Sequence, residues 1–420
     1  MVCEDRRDGL SLGALRREAE VLDRDDPLAR FRDRFVFDDD SLIYLDGNSL
    51  GRLPKATVGR LDEIARVEWG SGLVRSWEHW VDIPRRAGDL LAQEILGARP
   101  GEVVLSDSTT VNLYKLAATA LRHSERTTVI VDDENFTSDH YVMQGLCESL
   151  GRRLLRLPAA DVVTAVDDDV ALVVLSHVAF RTGHLLDGAA VTAAVRERGA
   201  QIIWDLSHSA GVVPIDLNGW AADLAVGCTY KHLNGGPGAP AFLYVSEQAQ
   251  MNLKPVVQGW FGQRDRFAMR DDFEPAADAS AWLVGTPPIL SMAAAEEGIR
   301  VTAEAGVEAI RAKSTSLTTL LIDAADEALA ADGFCLATPR DPLGRGSHVA
   351  LRHPQAWQVC QALIANEGVV PDFREPDIVR LGVSPLANTH AEMVEAAARM
   401  QRVMRTGSHL EMPTERRAVT

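Results

Sequence analysis

Cysteine is scarce in this chain. Its five cysteines in 420 residues are an odd number and show no C-x-x-C spacing, which argues against a disulfide framework or a cysteine-built zinc site. Cys3, Cys147, Cys228, Cys335 and Cys360 are therefore expected as reduced thiols, most of them core filler. No stretch reaches the roughly 18 uninterrupted apolar residues of a membrane span. The opening MVCEDRRDGL puts charges where a signal peptide needs an apolar core. No long cluster of lysine and arginine offsets the net charge of -17 and the pI near 5.1, so a nucleic-acid surface is not expected. Internal repeats and low-complexity tracts are missing as well. The expectation is a globular, cytoplasmic protein without nucleic-acid or membrane partners, whose acidic balance serves solubility.

The length exceeds what one hydrophobic core usually covers, so two or three domains are expected. The middle of the chain alternates short runs rich in Val, Ile and Leu with helix-like spans. GEVVLSD (101–107), TVIVDD (128–133), ALVVLSH (171–177), QIIWDL (201–206), LAVGCTY (224–230) and AFLYV (241–245) read as strands, and TVNLYKLAATALR and AAVTAAVRERG as helices between them. This alternation predicts an α/β fold with a mostly parallel sheet covered on both faces. From about residue 300 the pattern changes to one long amphipathic helix, GIRVTAEAGVEAIRAKSTSLTTLLIDAADEAL, followed by short strands and a last helix. The expected organisation is an N-terminal segment (1–50) packing with a small domain, a large domain (51–300), a small C-terminal α+β domain (301–405) and a flexible tail (406–420).

The richest stretch is GCTYKHLNGGPG (227–238), preceded by QIIWDLSHSAG (201–211). It sets Asp205 and Lys231 each at the end of a strand-like run. A lysine there, followed by a glycine-rich turn that permits close backbone approach, suits Schiff-base formation with an aldehyde. The cofactor this implies is pyridoxal phosphate, and a buried carboxylate such as Asp205 would keep its pyridine nitrogen protonated.

Ligands of an open parallel sheet sit beyond the carboxyl ends of its strands, so the residues after each run are the site candidates. Ser108, Thr109 and Thr110 open a helix and offer hydroxyls and backbone N–H groups to a phosphate, although the same pattern is an ordinary N-cap. Phe136 is placed to face a planar ring, or simply to pack. Ser176, His177 and Arg181 follow another run, as site residues or as loop polarity. Asp205 and His208 have a metal-like D-x-x-H spacing, but no third ligand of matching character lies nearby, and no metal is expected. Tyr230 can donate its phenol to a phosphate or relay a proton. Trp77, Trp80 and Phe261 suit an aryl pocket or the core.

With these residues in view, the chain resembles the kynureninase family of fold-type I pyridoxal-phosphate enzymes. The likeness rests on YLDGNSLG (44–51), LVRSW (73–77), TTVNLYK (109–115), FTSDHY (136–141), the Asp205 to Lys231 block, GWFG (259–262), GTPPIL (285–290) and Arg380 in IVRLGVSP. It implies a seven-stranded-type, mostly parallel sheet sandwiched by helices in a large cofactor domain, and a hydrolase that cleaves the Cβ–Cγ bond of L-kynurenine or 3-hydroxykynurenine. The products would be anthranilate or 3-hydroxyanthranilate and L-alanine. By this resemblance Lys231 carries the cofactor and moves the α-proton, Asp205 pairs with the ring nitrogen, and Tyr230 delivers a proton. Thr109, Thr110, Tyr230 and Trp260 hold the phosphate, and Phe136 stacks on the ring. Thr137, Ser138, Asp139, Ser176 and His208 lie in the cofactor shell. Arg380 and Asn48 bind the substrate, Arg380 through its α-carboxylate. Trp260 and Thr286 are expected to come from the neighbouring subunit of a homodimer.

The sequence departs from the family pattern in two places. His232 stands where an aromatic Tyr is frequent, and Thr286 where some members carry Asn. The aryl group and the pathway, whether tryptophan breakdown, NAD synthesis or a secondary metabolite, stay open. The rival readings are a cysteine desulfurase or selenocysteine lyase, and a catalytically silent cofactor-fold protein. The first needs a reactive cysteine on a mobile loop, which neither Cys335 in GFCLATP nor Cys360 in QVCQAL resembles. The second would lack the lysine, the aspartate or the arginine, and all three are present.

Overall fold

A computed structural model describes residues 11–329 and 331–416. The chain divides into two compact units. The larger spans Leu53–Phe180 and Leu186–Gly306; the smaller joins the residues up to Arg52, Arg181–Leu185 and the chain from Val307 onward.

Strand β1 (Ile43–Tyr44) belongs to the smaller unit. The larger unit is built on β2 (Val103–Ser106), β3 (Thr128–Asp132), β4 (Arg153–Leu157), β5 (Val170–Ser176), β6 (Gln201–Asp205), β7 (Leu224–Gly227) and β8 (Ala241–Val245). They form one seven-stranded sheet in the order β2-β8-β7-β6-β5-β3-β4. Only β8 runs antiparallel to its neighbours. Every residue of β2, β3, β5, β7 and β8 is buried, the pattern of strands covered on both faces, which is why they read as unbroken apolar runs. Strand β4 was not expected. It is an edge strand whose arginines leave it half in solvent, so its sequence RLLRL carries no apolar run.

Local signals set the helices around this sheet. Ser108 caps Thr109–Arg122 by accepting from Val111 N, Asp187 caps Gly188–Glu197 by accepting from Ala190 N, and Thr137–Leu150 ends on Gly151 at φ 63°. The core gathers Val131, Val174, Ile203, Val226 and Leu243 from the strands with Leu113, Leu116 and Met143 from the helices. Cutting Leu243 to Ala would cost about 2–5 kcal/mol through lost burial and the void left behind.

The long helix expected after residue 300 is two helices, Ile289–Ala305 and Val307–Ala328. Gly306 separates them at φ 80°, a backbone geometry that ends a helix, and the two belong to different units.

The smaller unit contains β9 (Cys335–Leu336), β10 (His348–Arg352), β11 (Val369–Val370), β12 (Asp372–Arg374) and β13 (Ile378–Gly382). Its antiparallel sheet has the order β12-β13-β10-β9, and β1 pairs in parallel with β11. Helices Leu12–Arg24, Val307–Ala328 and His390–Thr406 contribute to its core. In the segment expected as a tail, Ser408–Glu411 form a 3-10 turn with His409 buried, and Trp357 Nε1 donates to Pro413 O at 3.0 Å. Residues 417–420 and Cys3 lie outside the described residues. Cys147, Cys228 and Cys360 are free and buried; Cys335 is disulfide-bonded, against the expectation of reduced thiols. Among the described residues, no helix is long and apolar enough to cross a membrane, and no group of three or more His, Cys, Asp or Glu is arranged to hold a metal ion.

Candidate active site

A cavity of about 420 Å³ opens in the larger unit where the parallel strands of the sheet end. Ser176 and Asp205 are register partners at the ends of β5 and β6, so both reach the cavity from adjacent strands. The chain after β7 brings Tyr230 and Lys231 to it. Asn234 at φ 54° and Gly236 at φ 88° form the turn that follows, and a Cβ on Gly235 would sit 2.9 Å from the Thr229 carbonyl oxygen.

Lys231 Nζ lies 2.9 Å from His208 Nε2, so the ammonium donates to that nitrogen when the imidazole proton is on Nδ1. The same amine stands 5.7 Å from the ring centre of Phe136 and 5.9 Å from that of Tyr230. Phe136 meets the buried Phe180 edge to face at 5.2 Å, which fixes its ring beside the lysine. Asp205 is buried, and its Oδ1 accepts from Ser207 N at 2.8 Å.

Asp139, in the first turn of Thr137–Leu150, has no solvent exposure, and its Oδ2 has no hydrogen-bond partner. Burial, and then the neighbouring Asp205 carboxylate, hold its carboxyl well above the usual carboxylate range. Burial also raises the Tyr230 phenol, followed by the nearby Cys228 and Asp205, so Tyr230 keeps its proton. Asn135 clamps the neighbouring loop to β5: its Oδ1 accepts from Ser176 N at 2.9 Å and its Nδ2 donates to Val174 O at 3.0 Å.

Thr109 and Thr110 line the cavity at the start of their helix, where the first backbone N–H groups have no intrahelical acceptor. Ser108 caps the helix and also lines the cavity. Ser138 lines the cavity too, whereas Thr137 is solvent-exposed and outside its wall.

Several sequence candidates stand elsewhere. His177 packs edge-on against Trp204 and Trp220, at 5.8 and 5.0 Å between centroids. Arg181 belongs to the smaller unit. Phe261 is fully buried in the core, and the half-buried Trp77 packs against it at 6.4 Å between ring centres. Trp260 and Thr286 are exposed and do not line this chain's cavity. His232 is buried beside Lys231 in sequence, and its carbonyl accepts from Asn234 Nδ2 at 3.1 Å. Sequence reading missed Asp107, Phe180, Ser207 and Pro288, which line the wall together with residues 238–241. Asp107 was the findable one, since it follows β2 directly.

Arg380 and Asn48 belong to the smaller unit and share a cluster there. Arg380 Nη2 donates to Asp372 Oδ2 and, at 2.9 Å, to Ser49 Oγ, and Asp46 Oδ1 stands 4.0 Å away. Arg374 Nη2 reaches the same Asp372 oxygen at 2.8 Å. Burial lowers the Arg380 guanidinium to about 10, still charged at neutral pH; burial and then Asp372 push the Asp46 carboxyl up to about 6. Asn48 is fully buried against Gly382, where a Cβ would come within 1.9 Å of its Oδ1, and neither amide atom has a hydrogen-bond partner.

The larger unit's cavity fits pyridoxal phosphate. An amine lies inside it, the buried Asp139 has an unsatisfied carboxylate oxygen beside Asp205, and free helix N–H groups stand at one end. Comparison with known proteins agrees. The aminotransferase class-V family matches residues 43–350, and the kynureninase C-terminal domain family matches 310–400. A kynureninase of Burkholderia pseudomallei (strain 1106a) is 44% identical over 402 residues, covering 93% of this chain and 96% of its own. One from Pseudomonas fluorescens is 43% identical over 392 residues, covering 91% and 93%. Among solved structures, a cysteine desulfurase from Thermococcus onnurineus NA1 superposes with a TM-score of 0.76 at 19% identity, over 92% of this chain and 98% of its own, which shows the shared fold. The chain belongs to the kynureninase family and is a pyridoxal-phosphate-dependent hydrolase of carbon–carbon bonds.

Proposed function

We propose that the substrate is L-kynurenine or its 3-hydroxy derivative, cleaved between Cβ and Cγ to L-alanine and the matching anthranilate, with the roles divided as follows. The observation that carries this reading is the single cavity holding Lys231, His208 and Asp205, with the Lys231 amine 2.9 Å from the His208 ring. Pyridoxal phosphate supplies an electron sink that makes the α-proton removable and the Cβ–Cγ bond breakable. Lys231 is its attachment point and the base that moves the α-proton. Asp205 holds the proton of the ring nitrogen, and Phe136, steadied by Phe180, covers the ring. Thr109, Thr110 and Tyr230 seat the phosphate, while Ser138, Asp139, Ser176 and His208 complete the shell. Tyr230, protonated at neutral pH, delivers a proton to the departing alanyl carbon after water has added to the γ-carbonyl. Arg380, with Asn48 beside it, receives the α-carboxylate, for which a guanidinium fork is suited.

Trp260 and Thr286 of the partner subunit join this site in a cytoplasmic homodimer. The 42% exposure of Trp260 supports that reading, and so do the exposed Trp69 and Leu290, which line one pocket together, since large exposed apolar side chains mark an interface. The desulfurase alternative is disfavoured because the free cysteines among the described residues are all buried, with their thiols raised above the usual range by burial.

A competition assay tests the substrate. With pyridoxal phosphate, L-kynurenine and 3-hydroxy-L-kynurenine supplied together, alanine is expected in step with one anthranilate, measured by mass spectrometry. Alanine without either anthranilate would refute the aryl assignment. Mixing Lys231→Ala and Trp260→Ala homodimers tests the shared site: activity should return on mixing, and its failure to return places both residues in one chain's site.

A further inference from the structure

Lys115 is the seventh residue of the helix Thr109–Arg122, whose start is exposed at Thr110 and Val111, yet it is buried, with only 2% of its side chain accessible. Its three ammonium protons meet three acceptors: Ser106 Oγ at 2.9 Å, Asp107 Oδ2 at 2.7 Å and Trp282 O at 2.9 Å. Ser106 Oγ also donates to the same Asp107 oxygen at 2.7 Å. Asp107 is thus clamped from two sides, and its carbonyl accepts Ala241 N at 2.9 Å, where β8 begins. Its backbone is at φ 43°, a conformation Asp and Asn tolerate better than other non-glycine residues.

The position creates an electrostatic problem. Asp107 lines the cavity, is a third exposed, and directly precedes Ser108, Thr109 and Thr110. A bare carboxylate there would repel a phosphate carrying up to two negative charges. We propose that Lys115 is a positioning residue that cancels the charge of Asp107, so that the start of the helix binds a phosphate rather than repelling one. The inference rests on the reading that Thr109 and Thr110 seat the cofactor phosphate. Burial alone would raise the Asp107 carboxyl, but Lys115 and Ser106 hold it below the usual range, while burial lowers the Lys115 ammonium against the pull of Asp107; the pairing itself rests on the three short contacts.

The test titrates cofactor-free protein with pyridoxal phosphate and with pyridoxal, which lacks the phosphate, following absorbance. Lys115→Met is expected to weaken pyridoxal phosphate binding by roughly tenfold or more and to leave pyridoxal binding unchanged, because only the phosphate feels the exposed carboxylate. Adding Asp107→Asn to Lys115→Met is expected to restore most of the loss. Equal weakening of both ligands, or no recovery in the double variant, overturns the proposal and leaves Lys115 a packing residue. If Lys115→Met does not fold, Asp107→Asn alone decides: it should bind pyridoxal phosphate at least as tightly as the parent, and weaker binding overturns the proposal. Thr109→Ala with Thr110→Ala separates the two readings. If that variant binds pyridoxal phosphate like the parent, the seat is misplaced and the proposal falls with it. If it binds weakly while Lys115→Met does not, the seat stands and the charge-cancelling role fails.

Discussion

Two cavities of similar size, about 420 and 440 Å³, open at opposite ends of the seven-stranded sheet, and they use charge in opposite ways. At the end away from the candidate active site every lining charge has a partner. Arg99 Nη1 donates to Glu247 at 3.0 Å and Arg196 Nη1 to Asp223 at 2.7 Å. The buried Glu102 accepts from Arg99 N, Glu247 N and Asn218 Nδ2, all within 2.9 Å. At the other end Asp139 is pressed against Asp205, and Lys231 leans on a histidine instead of a carboxylate. A polar pocket whose charges are matched stabilises the fold; one whose charges are mismatched holds protonation states ready to change.

Four substitutions sharpen or break this contrast. Lys231→Ala should have the largest effect, cutting turnover by roughly 10²–10⁴-fold or more in a steady-state alanine assay while leaving the melting temperature near that of the parent. A variant with near-parental turnover would remove the lysine from the chemistry. Glu102→Ala, at the matched end, should do the reverse. Losing three charge-assisted hydrogen bonds should cost about 2–4 kcal/mol in urea unfolding with kcat unchanged, and a fall in kcat would make that end functional.

Asp139→Asn should show a pH signature. The folded carboxyl lies well above its unfolded value of about 4, so its stabilising protonation is complete below that pH and is lost as pH rises towards the folded value. The difference in melting temperature between variant and parent should therefore shift in the variant's favour from pH 5 to pH 8; a constant difference would show that Asp139 carries no such penalty. Arg99→Ala is the smallest case. Its pair with Glu247 is mostly exposed on both sides, and its loss should change stability by no more than about 0.5 kcal/mol.

Much of the large sheet was legible because buried parallel strands need continuous apolar runs, and six of its seven strands announce themselves that way. Strand β4 did not, since an edge strand with Arg153 and Arg156 facing solvent has no such run. Lys231, Asp205, Tyr230 and Thr110 could be picked out because each follows a strand or opens a helix at the sheet's carboxyl end. Trp77 and Phe261 could not be assigned, because an aromatic in a pocket wall and one in a core have the same local sequence. The break at Gly306 was overlooked because the apolar period continues on both sides of it, and only the positive φ ends the helix.

The sequence by itself determined the chemistry on offer: a lysine and an aspartate at two strand ends, and a serine–threonine helix start, all fixed by local periodicity and turn residues. Tertiary structure alone decided which charges meet. Lys115 neutralises Asp107 eight residues earlier, and Asp139 and Asp205 share one burial site although 66 positions separate them. A protonation state depends on desolvation and on the nearest charge in space, and neither is a property of neighbours along the chain.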